Sequence, residues 1–234
     1  MWSFPTKSIT LNNLDVNLWC MNLDLSKDQV DERFHILNDQ EQIKAKRFQF
    51  EQHQRRFIVA RSTLKIILSR YLNIPPDQIT FEYSPLGKPK LSNEINSQKI
   101  EFNLSHSQEL AIYGITCDRL IGVDVEYIRP MPDAEQLAKR FFCPQEAEKI
   151  NTLSSPDKDK AFFQLWTAKE AYLKATGEGI SGGLDKVEIF LDSPLQLINL
   201  PHWQLLSFTP QTDYLAAIVV AGNLGNVSYW KADY

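Results

Sequence analysis

The order of helical and β-rich segments repeats once along this chain of 234 residues. Residues 39–72 carry apolar side chains at steps of three and four, which is the pattern of an amphipathic helix. Three β-rich runs follow, at 99–104, 110–116 and 120–128. A second helical stretch covers about residues 132–176 with a break near 152–157, and further strand-like runs come after it: KVEIFL, WQLLSF and YLAAIVVA. This order predicts an α+β fold.

Two short stretches of sequence recur in both halves and favour an internal duplication. AKRF occurs at 45–48 and again at 138–141, and SPL occurs at 84–86 and again at 193–195. The matches fall at the same point in each half, before the main helix and after the first strand. Two similar α+β halves would meet near residue 122 and leave a cleft between them, which is a common place for a ligand.

Composition narrows the class of protein. The net charge of -4 and the pI ≈ 5.6 exclude the globally basic surface on which general nucleic-acid binding relies, so a phosphate-bearing ligand must be met locally. The three cysteines form no CxxC pattern, which indicates free thiols: Cys20, Cys117 and Cys143. The longest apolar run, LAAIVVAG, is too short to cross a bilayer, and the first residues hold no apolar core of signal-peptide length. We therefore expect a cytoplasmic protein that binds neither nucleic acid nor membranes.

The most strand-like run, LIGVDVEYI at 120–128, contains two acids. Side chains alternate along a strand, so Gly122, Asp124 and Glu126 share one face. Two carboxylates so close raise each other's pKa unless a positive charge lies between them, and a hard divalent cation with oxygen ligands is a natural candidate. The alternative is the solvated, acidic face of an ordinary strand. The spacing alone does not decide between the two.

The segment FFQLWTAKEAYLKATGEG, residues 162–179, supplies a third acid and two lysines. On a helix Trp166, Glu170 and Lys174 lie at four-residue steps along one stripe, with Lys169 and Leu173 beside it. A structural explanation is also open, because Glu170 followed by Lys174 is the favourable order for an i,i+4 ion pair and Trp166 suits a core position.

Two further groups of residues could meet a phosphate. Lys88 lies in the Gly-Pro turn of GKPKL at 87–91, and Ser105 with His106 follows a strand in FNLSHS at 102–107. Loops there can present an ammonium, a hydroxyl and an imidazole to a phosphate, although a lone histidine is often only a surface residue. The first helical segment carries a basic group that is otherwise typical of a solvated face: Lys44, Lys46, Arg47, Arg55, Arg56 and Arg61.

In this order, the motifs GKP, NLSHS, GVDVE and WTAKEAYLKATGEG resemble those of the Sfp-type 4'-phosphopantetheinyl transferases, and the resemblance covers nearly the whole chain. It implies an α+β (α/β) pseudo-dimer in which residues 1–121 and 122–234 each form a small, mostly antiparallel sheet packed with a long helix, with the active site in the cleft between them. It also implies a reaction. Magnesium, with manganese as the alternative ion, would support transfer of phosphopantetheine from coenzyme A to a serine of an apo carrier protein, with release of adenosine 3',5'-bisphosphate.

The resemblance also implies roles for individual residues. Asp124, Glu126 and Glu170 match the magnesium-binding acids. The catalytic group would be Glu170, Asp124 and Lys174, with Glu170 as the expected base for the serine proton and Asp124 or a metal-bound water as alternatives. Coenzyme A would contact a larger set: Lys44, Arg56, Lys88, Ser105, His106, Lys169 and Lys174. Two positions depart from the family pattern, Glu41 where some relatives are basic and Phe57 where others have a small polar residue. The first departure speaks against a role for that corner in binding, and altered contacts with the adenosine are expected beside Phe57.

The partner implied is an apo acyl or peptidyl carrier protein, and the KEA form of the helix motif leans towards carriers of fatty-acid, polyketide or glycolipid synthesis. Such carriers are usually acidic around the modified serine, so a basic and apolar docking surface is expected after the acidic strand, with Arg129, Met131, Lys139 and Arg140. Both sides of the cleft would come from one chain, which favours a monomer. Two other functions are open: a metal-dependent phosphohydrolase acting on CoA-like pyrophosphates, and a non-catalytic module that binds coenzyme A or carriers.

Overall fold

The chain runs twice through the same series of helices and strands in the computed structural model, which describes residues 2–5, 9–179, 182–191 and 194–232. The first series is β1 (Val16–Asn22), α1 (Lys27–Phe34), α2 (Asp39–Lys46), α3 (Glu51–Leu72), β2 (Phe81–Tyr83), β3 (Pro89–Leu91), β4 (Ile100–Ser107) and β5 (Leu110–Cys117). The second is β6 (Ile121–Tyr127), α4 (Ala134–Phe141), α5 (Pro144–Thr152), α6 (Asp157–Thr176), β7 (Ile189–Phe190), β8 (Gln196–Leu197), β9 (Trp203–Phe208) and β10 (Tyr214–Ala221), followed by β11 (Val227–Lys231).

The sheets repeat in the same way as the elements. In the first half β5 lies between β1 and β4, and in the second β10 lies between β6 and β9; all four pairings are antiparallel. A small hairpin follows the long helix in each half, β2–β3 and β7–β8. The predicted fold, an α+β pseudo-dimer of two similar halves with a long helix and a mostly antiparallel sheet each, is confirmed.

The core consists of three apolar clusters, one within each half and one between the halves. The first packs α3 against one face of the first sheet through residues such as Leu64 and Tyr113, and the second packs α6 against the second sheet through residues such as Leu173 and Ala217. The third lies between the two sheets, where β1 and β5 meet β6 and β10. The layers are therefore helix, sheet, sheet and helix, and strand side chains alternate between the central cluster and the helix of their own half.

Sequence patterns missed several elements, among them β1, α1 and β11, and misplaced one match. β11 joins the first sheet by pairing with β1 in parallel, although it comes last in the chain. AKRF at 45–48 ends α2, whereas the copy at 138–141 lies in α4, whose counterpart is α1, so this match is a coincidence. SPL at 84–86 does lie in the β2–β3 turn, while its second copy begins at residue 193, outside the described residues.

The predicted boundary between residues 121 and 122 falls one residue into β6. We propose that the two halves divide at the turn before Ile121, since the second series of elements starts there. The C-terminal half would then lend β11 to the sheet of the N-terminal half.

Gly122 on β6 lies directly under the backbone of α6. A β-carbon at this position would be 1.9 Å from the carbonyl oxygen of Ala171 and 2.4 Å from the backbone nitrogen of Ala175. We expect Gly122→Ala to lower the free energy of unfolding by about 3 kcal/mol, because helix backbone cannot give way as a side chain can. Urea unfolding measures this, with Gly114→Ala as the control: there the close atoms are the side-chain ends of Ile121 and Val123, so the loss should be smaller. Equal losses would contradict the explanation.

Candidate active site at the seam between the halves

Asp124 lies at the seam between the two halves and is almost fully buried, with 4% of its surface exposed. One carboxylate oxygen, Oδ1, accepts hydrogen bonds from Ser105 Oγ at 2.9 Å and from Lys174 Nζ at 2.5 Å. Lys174 Nζ also donates to Ser105 Oγ at 2.9 Å. The three hydrogen bonds among these side chains link β4, β6 and α6. Burial raises the pKa of Asp124, and the Lys174 ammonium offsets part of that shift.

The other two acids of the sequence motifs lie close to Asp124. Glu126 is half-buried and accepts a hydrogen bond from Ser107 Oγ at 3.0 Å. Glu170 is 8% exposed, and its Oε1 has no hydrogen-bond partner among the described residues. Burial raises the pKa of both glutamates, and the charge of Asp124 raises both further. The acidic face of the strand is therefore buried against α6, and the explanation as an ordinary solvated face is wrong.

A cavity of about 390 Å³ opens beside this cluster. Its lining brings together Arg56 and His106, as the sequence predicts, and adds His53, which lies one turn before Arg56 on α3. Arg56 is held by two hydrogen bonds of 2.9 Å to the carboxylate of Asp24. Burial lowers the pKa of His106, and the charges of Lys174 and Arg56 lower it further. This cavity thus combines an aromatic wall with positive charge, which suits a phosphorylated ligand.

Lys44 lies at a second, smaller cavity of about 210 Å³ that shares Phe57 with the first. Its ammonium lies 5.3 Å from the centre of the Phe57 ring. Glu41, the acidic departure from the family pattern, is buried under this corner and pairs with Lys65 at 2.9 Å. Glu41 therefore has a structural partner, and Phe57 forms the wall between the two cavities.

Lys88 does not line the cavity that contains Arg56 and His106, and it joins the two halves. Its Nζ donates to the carbonyl oxygens of Ala175 at 2.7 Å and Ile121 at 3.4 Å, at the C-terminal end of α6 and the start of β6. Burial lowers the pKa of this ammonium. A cation at a helix C-terminus is favourable because free carbonyls and the helix dipole meet it there. The structure thus places Lys88 at the seam, and its contact with coenzyme A stays a prediction.

Lys169 is the one predicted coenzyme A ligand that lies outside the cleft altogether. Its ammonium is fully buried in the core of the second half, where it pairs with Glu146 at 2.7 Å and donates to the carbonyl oxygens of Leu184 and Val187. A neighbouring position on a helix points in another direction, so sharing a motif with Glu170 does not place Lys169 on the same face. We therefore correct this assignment: Lys169 is a structural residue.

Comparison with known proteins identifies the family of this chain. The family model for the 4'-phosphopantetheinyl transferase superfamily matches residues 120–219, and that for the N-terminal part of 4'-phosphopantetheinyl transferases matches residues 24–116. The chain is 42% identical to the 4'-phosphopantetheinyl transferase HetI of Nostoc sp. over 231 residues, which covers 98% of this chain and 97% of that protein. The chain belongs to the 4'-phosphopantetheinyl transferase superfamily.

Two further transferases are similar over most of their length. A putative 4'-phosphopantetheinyl transferase of Synechocystis sp. is 38% identical over 84% of this chain and 78% of its own. The transferase Sfp of Bacillus subtilis is 26% identical over 77% of this chain and 79% of its own. The prediction that the chain is a 4'-phosphopantetheinyl transferase of the Sfp type is confirmed.

The two halves of the transferase can be compared position by position. α3 and α6 each end at a left-handed residue, Asn73 and Gly177, and Lys65 and Lys169 lie equally far before these ends. Both lysines are fully buried, and each pairs with the glutamate that closes the capping box of the preceding short helix, Glu41 or Glu146. This buried pair is part of the duplicated architecture.

The acids, in contrast, occur in only one half. In the first sheet Trp19 of β1 pairs with the fourth residue of β5, Tyr113, and in the second sheet Asp124 of β6 pairs with the fourth residue of β10, Ala217. A tryptophan therefore occupies the position in β1 that the aspartate occupies in β6. By the same correspondence Ile66 of α3 stands where α6 has Glu170. Since the fold forms in the first half without these carboxylates, the second half keeps them for another reason.

The carboxylates suit a divalent cation, although no three His, Cys, Asp or Glu side chains among the described residues are arranged as a complete metal site. Within the part of the chain that the structure describes, Asp124 Oδ2 and Glu170 Oε1 are buried oxygens without a hydrogen-bond partner, on two different elements of the seam. Carboxylate oxygens of this kind are the ligands that magnesium and manganese prefer. The donor set therefore fits such an ion.

Proposed function

We propose that this transferase moves 4'-phosphopantetheine from coenzyme A to the serine hydroxyl of an apo carrier protein in a magnesium-dependent reaction. The serine oxygen would form a bond to the phosphorus that bears pantetheine, the pyrophosphate bond would break, and adenosine 3',5'-bisphosphate would leave. The observation that carries the proposal is the cluster of Asp124, Glu126, Glu170 and Lys174 at the seam, whose acids have no counterparts in the first half.

The chemistry requires charge neutralisation on the pyrophosphate and a base for the serine proton. Magnesium held by Asp124, Glu126 and Glu170, or manganese in its place, would neutralise phosphate charge and orient the reacting groups. Lys174 would donate to pyrophosphate oxygens. Each of the two acids keeps one oxygen without a partner among the described residues, but Asp124 is fixed at its other oxygen by Ser105 and Lys174. Glu170 is therefore the proposed base, and burial raises its pKa.

The nucleotide of coenzyme A would occupy the cavities beside the seam. Arg56 and His106 line the larger one and Lys44 the smaller, so the 3'-phosphate would find its charged donors there. Ser105 would lie between the nucleotide and the pyrophosphate, because it contacts both Lys174 and Asp124.

The test is to incubate the protein with coenzyme A, magnesium and a panel of apo carrier proteins and to read out added phosphopantetheine by intact mass. We expect the mass increase on at least one carrier, with loss of the increase when the serine is replaced by alanine. Release of phosphopantetheine into water without a carrier would favour a phosphohydrolase instead. Binding of coenzyme A without either product would favour a non-catalytic module.

Carrier docking is proposed for the segment that leaves β6. Lys139 and Arg140 are exposed on α4, Arg129 is stacked 5.2 Å from the Phe163 ring, and Met131 packs at the edge of the second core. We expect Arg129→Glu with Arg140→Glu to raise the KM for an acidic carrier about tenfold or more, because like charges would then meet. Steady-state kinetics measures this, with Lys27→Glu on α1 as the control. An unchanged KM for the carrier would eliminate this surface.

Other predictions about the protein's surroundings rest on the sequence. None of the helices in the described parts of the chain is long and apolar enough to span a membrane. We propose a monomer, because β4, β6 and α6 of one chain supply the groups that meet at the seam. The cytoplasmic location and the absence of nucleic-acid binding stay predictions.

A further inference from the structure

β4 and β6 run side by side at the seam but belong to different sheets, and side chains of β4 connect them. Three alternate residues of β4 each make a hydrogen bond to β6. Asn103 Oδ1 accepts from the backbone N–H of Val123 at 2.8 Å, and Ser105 Oγ donates to Asp124. The third residue in this row is Ser107, for which neither the sequence motifs nor the family resemblance supplied a role.

Ser107 makes two hydrogen bonds that fix Glu126. Its Oγ donates to Glu126 Oε2 at 3.0 Å and accepts from the backbone N–H of the next residue, Tyr127, at 3.1 Å. One hydroxyl thus holds both the carboxylate and the backbone that carries it. Ser107 also lines the cavity that contains Arg56 and His106.

A competitor for the same oxygen lies nearby. Arg129 Nη1 is 3.9 Å from Glu126 Oε2, which is too long for a hydrogen bond but close enough for a small rotation to form one. A glutamate that turned to this exposed arginine would leave the acidic cluster. The Ser107 hydroxyl opposes that rotation, because it satisfies the oxygen on the cavity side.

We propose that Ser107 is a positioning residue that holds the Glu126 carboxylate in place for a divalent cation. The inference rests on the proposed function, in which Glu126 is one of three metal-binding acids. Groups that hydrogen-bond to metal-binding side chains typically change metal affinity by about 10–100-fold when they are removed. Ser107 would act through Glu126 and need not touch coenzyme A.

The experiment uses Mn²⁺ as the probe and two variants of nearly equal shape, Ser107→Thr and Ser107→Val. Free Mn²⁺ is measured by electron paramagnetic resonance during titration of the full chain, without coenzyme A or carrier. We expect the threonine variant to bind like the wild type and the valine variant to bind about tenfold more weakly. Ser69→Ala, which removes a hydroxyl bonded to Ile66 on α3, is the control and should change nothing.

A further variant tests whether Arg129 competes with Ser107 for the Glu126 carboxylate. Adding Arg129→Gln to Ser107→Val should recover part of the lost affinity, because the group that draws Glu126 away has been weakened. Equal Mn²⁺ affinity of the threonine and valine variants would overturn the role of Ser107, even if the wild type modifies carriers. A wild type that modifies no carrier but shows the expected Mn²⁺ series would instead overturn the proposed function and leave the positioning role intact.

Discussion

Replacing Lys169 with methionine is expected to lower the free energy of unfolding by about 3–5 kcal/mol, because a buried charge loses its partner. Glu146 would remain fully enclosed without the ammonium, and the carbonyl oxygens of Leu184 and Val187 would lose a donor. Since domains are stable by only about 5–15 kcal/mol, this loss is large. Urea unfolding followed by circular dichroism measures it.

Three variants separate this structural role from binding of coenzyme A. Lys65→Met removes the equivalent lysine of the first half and should cost a similar amount, whereas Lys160→Met, at an exposed position of α6, should cost little. Glu146→Gln added to Lys169→Met should restore part of the stability, since no unpaired buried charge remains. A Lys169→Met variant of normal stability with a raised KM for coenzyme A would show that our correction is mistaken.

The grouping of the acids and Lys174 could be predicted, because spacing along a strand or a helix determines which side chains share a face. Asp124 and Glu126 are two residues apart on a strand, and Glu170 and Lys174 are four apart on a helix, so each pair shares a face whatever surrounds it. Lys169 was misassigned because a sequence motif groups neighbours along the chain. The helix period turns a neighbouring residue well away from the stripe, here into the core with Glu146.

Contacts between distant segments could not be read in the same way. Lys88 lies in a turn, and nothing in GKP reveals that its ammonium reaches the carbonyl of Ala175 in the other half. The pair of Arg56 with Asp24 likewise joins segments that only the tertiary fold brings together. β11 was missed because its pairing with β1 joins the two ends of the chain, which no local pattern indicates.

The repeat itself could be predicted from the order of elements, but its residue correspondence required the structure. AKRF suggested an alignment that pairs α2 with α4, while the helix ends at Asn73 and Gly177 pair α3 with α6. With that correspondence the buried lysine occurs in both halves, as Lys65 and Lys169, whereas the acidic cluster occurs only in the second half. The duplication thus separates residues that maintain the fold from residues that the fold does not require.

Replacing Glu170 with glutamine is expected to reduce carrier modification by about 10³-fold while leaving the protein at least as stable as the wild type. The loss of activity follows from removing the proposed base and one metal-binding acid. The stability follows from the raised pKa of Glu170, which burial and the charges of Asp124 and Glu126 cause. When the pKa of a group is raised in the folded state, its contribution to stability is fully present below the unfolded pKa and is lost as the pH rises through the folded pKa. At neutral pH the carboxylate of Glu170 therefore lowers the free energy of unfolding, and the neutral amide of glutamine avoids this loss.

Asp124→Asn separates the two effects. It should lose activity to a similar extent but also lose stability, because Lys174 then has no carboxylate to pair with across the seam. Intact-mass assays with excess magnesium give the activities, urea unfolding at neutral pH gives the stabilities, and Glu148→Gln, at an exposed position of α5, is the control. Near-normal modification by the Glu170 variant would remove it from the active site, and equal destabilisation in both variants would mean that Glu170 is held as firmly as Asp124. The predicted asymmetry arises because Asp124 forms an ion pair with Lys174, whereas the charge of Lys174 only partly offsets the rise in the pKa of Glu170.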